Sequence, residues 1–237
     1  MLVKNWMTRD VITIDGSDSM RHAADLLREH AISMLPVMKD DQLAGTVTDQ
    51  DLGNASLQSG KVLEFKELLH LMSEITVDKI MNKRLITVHY DYTTEEAADM
   101  LLANSIHSLP VVDHEENVIG IITETDLLIA LMSVTGLGRE GIQRIFMKKR
   151  GIQFAFMAED RAGSIKALED IFRKYGGHIM SILSSLDRSP DGHRKVYFRL
   201  YGINRYTLSQ LKEELGAKAF LLYLVDHREN RREIFDS

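Results

Sequence analysis

The chain has 237 residues, of which 44% are hydrophobic and 27% charged, a composition typical of globular proteins. Its formal net charge of −6 disfavours nonspecific binding to nucleic acid, and the absence of cysteine excludes disulfides, thiolate catalysis and cysteine-ligated zinc. The longest apolar runs, such as residues 127–132, are far shorter than a membrane-spanning helix, and the first ten residues lack an apolar leader. We therefore expect a cytoplasmic protein that binds neither nucleic acid nor membrane.

An internal repeat organises the first half of the chain. Shifting the sequence by 74 residues superposes Val3, Met7, Ala23, Leu27, Pro36 and Val37 on Val77, Met81, Ala97, Leu101, Pro110 and Val111. After a one-residue insertion in a polar turn, the shift becomes 75 residues and superposes Gly45, Thr48 and Asp51 on Gly120, Thr123 and Asp126. We define repeat 1 as residues 1–56 and repeat 2 as residues 77–135, and we expect an amphipathic connecting helix over 57–76.

Each repeat predicts the same order of elements. A β-branched strand at 11–14 or 86–88 is followed by a helix that Ser17 or Thr93 caps. Two further strands and a second helix complete a β-α-β-β-α unit, an α+β arrangement whose sheet needs a neighbouring layer. We expect the two repeats to cover each other about a pseudo-twofold axis.

Two short motifs in each repeat resemble those of CBS domains. Residues 45–51 and 120–126 resemble the G-h-h-T-x-x-D signature of that family, and residues 32–37 and 106–111 resemble its I-x-x-L-P-V strand. The resemblance spans residues 1–132 and implies a paired unit, called a Bateman module, that binds adenosine-type nucleotides. The candidate nucleotide-binding residues are Ile12, Thr13, Met34, Leu35, Pro36, Thr48, Asp51, Thr87, His107, Ser108, Leu109, Pro110, Thr123 and Asp126.

The chemistry of these residue types fits a nucleoside. Thr48 and Asp51 stand three residues apart at a strand-to-helix junction, where a carboxylate can accept both hydroxyls of a ribose diol and the helix start suits a phosphate. Ile12, Leu35 and Pro36 are candidates to enclose the purine. The resemblance implies these roles for Thr13, Thr48 and Asp51 in repeat 1, and for Thr87, Thr123 and Asp126 in repeat 2. The alternative is that each T-x-x-D only caps its helix, and the two roles are compatible.

The sequence favours a ligand of low charge. Many CBS relatives carry an arginine just before the motif aspartate, where this chain has Gln50 and Thr125, each following an acidic residue. Additional carboxylates repel a polyphosphate. The basic residues available to compensate are His107, Arg9, Lys83 and Arg84. We therefore expect AMP, ADP or an S-adenosyl compound rather than ATP.

The pattern changes after a glycine-containing linker at 136–150. Residues 151–229 predict the β-α-β-β-α-β order of the ferredoxin-like motif, followed by a tail at 230–237. Residues 160–163 resemble the D-R-P-G opening of ACT domains, which sense amino acids, with Ala162 in place of the family's proline and His178 in place of an asparagine. Candidate amino-acid-binding residues are Asp160, Arg161, Ala162, Gly163, Ser164 and His178. The alternative is a domain that only dimerises.

The order CBS–CBS–ACT resembles the bacterial acetoin-utilisation B-type regulatory proteins over nearly the whole chain. The resemblance implies a non-catalytic, homodimeric ligand sensor, without a catalytic cofactor, that allosterically regulates an unidentified metabolic partner protein. An enzyme is disfavoured because the sequence has no His-carboxylate cluster, G-x-S-x-G motif or P-loop, and its histidines lack metal-ligand spacing. An interaction scaffold with empty pockets is the open alternative.

Overall fold

The computed structural model describes residues 1–57, 70, 72–134 and 151–235, which form two compact units, Met1–Leu128 and Ile129–Ser237. The chain up to residue 134 contains a 3-10 helix (Val3–Asn5), β1 (Ile14–Asp15), α1 (Met20–Glu29), β2 (Met34–Lys39), β3 (Gln42–Thr48), α2 (Asp49–Leu57), α3 (Val77–Ile80), β4 (Val88–His89), α4 (Thr94–Asn104), β5 (Ser108–Val112), β6 (Val118–Thr123) and α5 (Glu124–Val134). The expected connecting helix and the linker at 136–150 fall largely outside the described residues. Among the described helices, none combines the length and the apolar content needed to cross a bilayer.

Each repeat forms a three-stranded sheet, in the orders β1-β2-β3 and β4-β5-β6. The first two strands of each sheet are parallel and the last two antiparallel, so the predicted β-α-β-β-α order and the mixed α+β class are correct. The opening strands are shorter than predicted. In repeat 1 the parallel pairing is confined to Ile14 and Asp15, and in repeat 2 to Val88 and His89.

The first helix of each repeat is capped by a hydroxyl side chain. Thr93 and Glu96 form a capping box at the start of α4, as the sequence predicts for Thr93. In α1 the cap is Ser19, whose Oγ accepts a hydrogen bond from the His22 backbone N–H at 3.2 Å. The predicted cap Ser17 is wrong, because its hydroxyl donates to Asp15 Oδ1 at 2.6 Å within the preceding turn.

Each repeat is completed by the first residues of the other. Val3 is fully buried in the core of repeat 2, and its backbone N–H donates to the Tyr92 carbonyl at 2.8 Å. Val77, its counterpart in the repeat, is fully buried in the core of repeat 1, and its N–H donates to the Asp18 carbonyl at 2.9 Å. We call residues 1–12 and 75–86 the opening segments. Their exchange ties the two repeats into one unit.

The opening segments also pair with the last strand of the other repeat. The backbones of Thr8 and Ile121 exchange two hydrogen bonds of 2.9 Å, and those of Asn82 and Thr46 exchange bonds of 2.8 and 3.1 Å. This pairing explains the motif glycines. A Cβ on Gly45 would lie 2.7 Å from the Asn82 carbonyl oxygen, and one on Gly120 would lie 3.1 Å from the Thr8 carbonyl oxygen and 2.5 Å from Met7 Sδ.

The second unit contains a five-stranded sheet with two helices. Its elements are β7 (Ile152–Glu159), α6 (Ser164–Lys174), β8 (His178–Ser185), β9 (His193–Tyr201), a 3-10 helix (Arg205–Thr207), α7 (Leu208–Gly216), β10 (Phe220–Asp226) and β11 (Arg231–Ile234). The strand order is β11-β10-β7-β9-β8, and all the pairs are antiparallel. The core is aromatic, with the rings of Phe172 and Phe198 4.9 Å apart.

The expected tail at 230–237 contributes a strand to this sheet. A turn with Asn230 at φ 51° brings β11 back along β10, where Asp226 pairs with Arg231. The Lys212 ammonium donates to Glu233 Oε2 at 2.7 Å, which links this strand to α7. The sequence pattern did not indicate the strand because three of its four residues are charged and they show no alternation of hydrophobicity.

A buried ion pair joins β10 to the loop before α7. Asp226 is 1% exposed and accepts a hydrogen bond from Arg228 Nη2 at 2.6 Å, while Arg228 Nη1 donates to the Ile203 carbonyl at 2.6 Å. Burial alone would raise the pKa of the Asp226 carboxyl, but the hydrogen bonds and charge of Arg228 more than offset burial, so this pKa lies below its ordinary value.

We expect Gly45→Ala and Gly120→Ala each to destabilise the first unit by about 1–3 kcal/mol, because the new methyl group overlaps the opening segment of the other repeat. Urea denaturation followed by Trp6 fluorescence measures this. Gly53→Ala in α2 is the control: a Cβ at this position would have no neighbour within 4 Å, so alanine should be neutral or stabilising by up to about 1 kcal/mol. Equal effects at Gly45 and Gly53 would contradict the steric explanation.

Arg228→Ala should destabilise the second unit by about 1–3 kcal/mol at neutral pH, because it leaves the Asp226 carboxylate buried without its partner. Since the folded-state pKa of Asp226 is depressed, the ion pair stabilises the fold above the ordinary pKa of 3.8 and is lost as the pH falls through the folded value. The difference from the unsubstituted chain should therefore shrink in acid. Arg205→Ala, which removes an exposed pair with Glu229 at 3.8 Å, should cost less than about 1 kcal/mol in the same thermal unfolding experiment.

Candidate functional site

Two cavities lie within the first unit, each between the repeats. The Asp51 cavity, of about 320 Å³, is lined by Thr48, Asp51, Asn82, Arg84 and Ile86 among others. The Glu124 cavity, of about 590 Å³, is lined among others by Thr8, Asp10, Ile12, Thr123 and Glu124. Both volumes fall in the range of about 300–1,000 Å³ typical of small-molecule sites.

The two cavities are related by the repeat. The 74-residue shift superposes Thr8, Asp10 and Ile12 on Asn82, Arg84 and Ile86, and the 75-residue shift superposes Thr48 and Asp49 on Thr123 and Glu124. Each cavity thus combines the opening segment of one repeat with the strand-to-helix junction of the other. The cause is the backbone pairing of each opening segment with the opposite strand β3 or β6. A shared wall contains Ser33, Met34, Asp49, His107 and Ser108.

The structure gathers part of the predicted nucleotide-binding set at these cavities. The candidates that line one or both are Ile12, Met34, Thr48, Asp51, His107, Ser108, Pro110 and Thr123. The candidates that are not among the lining residues are Thr13, Leu35, Pro36, Thr87, Leu109 and Asp126. Leu35 and Leu109 are fully buried in the cores of their own repeats, which removes them from ligand contact.

Each cavity takes its opening-segment residue from the other repeat. The resemblance implies roles for Thr13 and Thr48 in repeat 1 and for Thr87 and Thr123 in repeat 2, but Thr13 and Thr87 line neither cavity. In the structure, Ile86 of the repeat 2 opening segment lines the Asp51 cavity with Thr48. Ile12 of the repeat 1 opening segment lines the Glu124 cavity with Thr123. The reason is the exchange of opening segments. An internal repeat shows which positions are equivalent, but not which copy supplies each wall.

The T-x-x-D motif forms a reciprocal helix cap in both repeats. Asp51 Oδ2 accepts hydrogen bonds from the Thr48 hydroxyl at 2.6 Å and the Thr48 backbone N–H at 2.9 Å, and Thr48 Oγ1 accepts the Asp51 N–H at 3.3 Å. Thr123 and Asp126 repeat this pattern at 2.7, 3.0 and 3.2 Å. Both motifs therefore cap their helices, and the cap fixes the orientation of each carboxylate.

The two motif aspartates differ in their accessibility. Asp51 is half-buried and lines its cavity, and its Oδ1 has no hydrogen-bond partner within the ranges that the structure describes. Asp126 is 6% exposed and is not a lining residue of the Glu124 cavity. The capped Asp51 therefore keeps one acceptor oxygen for a ligand, which can take the hydroxyl groups of a diol.

The charges that face the two cavities also differ. The Asp51 cavity contains Arg84, whose Nη2 donates to the neutral Asn104 Oδ1 at 3.3 Å and which forms no ion pair with a described carboxylate. The corresponding position in the Glu124 cavity is Asp10. His107 Nδ1 lies 3.0 Å from Glu124 Oε2, so this histidine is already engaged by a carboxylate. Arg9 and Lys83, also considered as compensating cations, are not lining residues of either cavity.

A third cavity lies in the second unit, at the start of α6. This Asp160 cavity, of about 320 Å³, is lined by residues 160–165 and Arg194, which include the predicted Asp160, Arg161, Ala162, Gly163 and Ser164. Gly163 adopts φ +88° at the N-terminus of α6, a conformation that favours glycine. Arg194 Nε donates to Asp160 Oδ1 at 2.7 Å, so the Asp160 carboxylate is paired.

His178, the remaining candidate for amino-acid binding, lies apart from this cavity. It begins β8 opposite Tyr201, with the two rings stacked 5.0 Å apart, whereas the loop after Glu159 adjoins His193 at the other end of β9. The length of β9 separates the two ends by more than roughly 20 Å at about 3.3 Å per residue. Within one chain, therefore, His178 and the Asp160 loop cannot contact one small ligand.

Comparisons with known proteins concern the first half of the chain. The CBS domain family model matches residues 3–57 and 77–133. A CBS domain-containing protein of Dictyostelium discoideum is 30% identical over 135 residues, which are 56% of this chain and 93% of that protein. The inosine-5'-monophosphate dehydrogenase of Korarchaeum cryptofilum is 36% identical over 124 residues, which are 52% of this chain and 23% of that enzyme. The crystal structure of the CBS-pair protein CBSX2 from Arabidopsis thaliana has a TM-score of 0.51 at 29% identity and covers 57% of this chain and 96% of that one.

Thr48→Val should destabilise the first unit by about 0.5–2 kcal/mol, because valine keeps the shape of the side chain but removes the hydroxyl that both donates to and accepts from Asp51. Thermal unfolding measures the change. Thr13→Val is the matched control, since Thr13 is exposed and outside the cavities. A loss of stability at Thr13 equal to that at Thr48 would show that the cap contributes nothing.

Proposed function

Because the chain belongs to the CBS-domain family, we propose that its first unit is a non-catalytic sensor that binds an adenosine-type nucleotide in the Asp51 cavity. The observation that carries the proposal is the Asp51 carboxylate, which is held by its helix cap at the wall of a cavity of about 320 Å³ with Oδ1 available to a ligand. AMP, ADP and S-adenosyl compounds all present the ribose diol that such a carboxylate recognises.

The other walls of the Asp51 cavity support the same ligand class. Met34, Ile86 and Pro110 supply apolar surface suited to a purine, and the Thr48 hydroxyl stands beside the ribose acceptor. Arg84 supplies a donor fork that matches a phosphate group. Most of the lining residues are polar or charged, which suits the sugar and phosphate of a nucleotide, and the apolar ones leave a surface for its base.

We infer a regulatory role rather than catalysis from the extent of the family match. The resemblance to inosine-5'-monophosphate dehydrogenase covers 23% of that enzyme. The two proteins therefore share a domain, and the resemblance does not extend to the catalytic activity. Binding between two repeats that are joined by exchanged segments favours one relative arrangement of the repeats, which is a means of signalling to a partner protein.

For the second unit we propose a ferredoxin-like domain of the ACT type that binds an amino acid at the Asp160 cavity. Its support is the β-α-β-β-α-β order of β7 to β10, and the N-terminus of α6 at the Asp160 cavity, which attracts a carboxylate. The sheet ends in edge strands β8 and β11, and edge pairing favours a homodimer. A cytoplasmic regulator of a metabolic partner, such as one in acetoin catabolism, accords with the order of the motifs along the chain.

AMP should raise the melting temperature of the full chain, and a hundredfold excess over Kd corresponds to about 2.7 kcal/mol of stabilisation. Asp51→Ala should abolish most of this ligand-induced shift, because the ribose loses its acceptor. The shift, and not the baseline stability, is compared, since the substitution also removes a helix cap.

Asp99→Ala is the matched control, because Asp99 is an exposed aspartate on α4 outside both cavities. It should retain the full shift. If AMP, ADP and S-adenosylmethionine at millimolar concentration all leave the melting temperature unchanged, the scaffold with empty pockets is the correct function instead.

A further inference from the structure

The two repeat-related cavities carry opposite charges at one equivalent position. Arg84 lines the Asp51 cavity, and the residue 74 positions earlier, Asp10, lines the Glu124 cavity. Both side chains belong to exposed parts of the opening segments, so neither is required for the core. Equivalent positions in a duplicated site normally face equivalent parts of a ligand. The positive charge of Arg84 and the negative charge of Asp10 therefore face the same ligand group, each in its own cavity.

The remaining charges strengthen the difference. Asp49 lies on the shared wall and therefore acts on both cavities. The Glu124 cavity adds Glu124 and Asp10, and its lining contains no lysine or arginine. His107 also lies on the shared wall, where its Nδ1 is 3.0 Å from Glu124 Oε2. A phosphate in the Glu124 cavity would meet three carboxylates and no arginine, whereas the Asp51 cavity has two carboxylates, Asp49 and Asp51, and the Arg84 guanidinium.

Arg84 is positioned to accept a new anionic partner. Its backbone N–H donates to Asn82 Oδ1 at 2.9 Å, which orders the opening segment beside the cavity. Its guanidinium contacts the neutral Asn104 at 3.3 Å and no described carboxylate, so its positive charge is not cancelled within the described part of the chain. The five N–H donors of a guanidinium exceed this single bond, which leaves a fork for a phosphate.

We propose that the two cavities are specialised by charge, with Arg84 as the residue that determines specificity for phosphate. The Asp51 cavity binds adenosine compounds that carry a phosphate, and the Glu124 cavity excludes them. This inference rests on the proposed nucleotide-binding function and adds to it a stoichiometry of one AMP for each chain.

The test is titration calorimetry of the full chain with AMP and with adenosine. The unsubstituted chain should bind one AMP. Arg84→Asp should weaken AMP binding at least tenfold while changing adenosine binding less than threefold, because only the phosphate loses its partner. Lys83→Asp makes the same change of net charge beside the cavity without altering its lining, and it should leave AMP affinity within about twofold.

The reciprocal substitution tests the Glu124 cavity. Asp10→Arg should let a second AMP bind in the Glu124 cavity, more weakly than the first, because it supplies a cation for the phosphate while Asp126, which does not line this cavity, leaves the ribose without a carboxylate acceptor. Two AMP molecules bound by the unsubstituted chain, or equal loss of AMP and adenosine in Arg84→Asp, would overturn the charge specialisation but leave the nucleotide sensor intact. Failure of both AMP and adenosine to bind would instead overturn the proposed function, and this inference with it.

Discussion

The exchange of opening segments is the interaction on which the first unit depends. Val3 and Val77 are each fully buried in the core of the repeat to which they do not belong by sequence. Neither three-stranded sheet with its helices can complete its core from its own residues alone. The burial of these valines, together with the backbone hydrogen bonds of the opening segments, joins the two repeats.

The candidate site follows from this exchange. Because each opening segment pairs with the last strand of the other repeat, the cavity beside Thr48 receives Asn82 and Arg84, and the cavity beside Thr123 receives Thr8 and Asp10. Composite cavities of this kind allow one duplicated framework to hold two chemically different sites. The framework requires glycine at positions 45 and 120, whereas the side chains of the opening segments are free to differ between the copies.

Much of this organisation could be predicted from the sequence. The repeat, its β-α-β-β-α order and the joint position of Thr48 and Asp51 all depend on local patterns, and local hydrogen bonds maintain them in the structure. The cap at Ser19 was missed because Ser17 is an equally good hydroxyl two residues earlier, and only the turn around Asp15 decides between them.

The remaining features depend on contacts between distant segments. Nothing in the internal repeat indicates that Arg84 accompanies Asp51 rather than Asp126, since the two arrangements have the same sequence pattern. The separation of His178 from the Asp160 loop likewise follows from the register of β8 on β9, which the sequence leaves open. Strand β11 was missed because its residues show no alternation of hydrophobicity.

Hydrogen exchange measured by mass spectrometry on Val3→Ala and Val77→Ala tests the exchange of segments most directly. We predict that Val3→Ala raises the exchange rates mainly in β5 and β6 of repeat 2, and that Val77→Ala raises them mainly in β2 and β3 of repeat 1. Each substitution would then destabilise the repeat into which the valine packs, and not the repeat to which it belongs in the sequence. Faster exchange in β2 and β3 after Val3→Ala, with β5 and β6 unchanged, would contradict the exchange of segments.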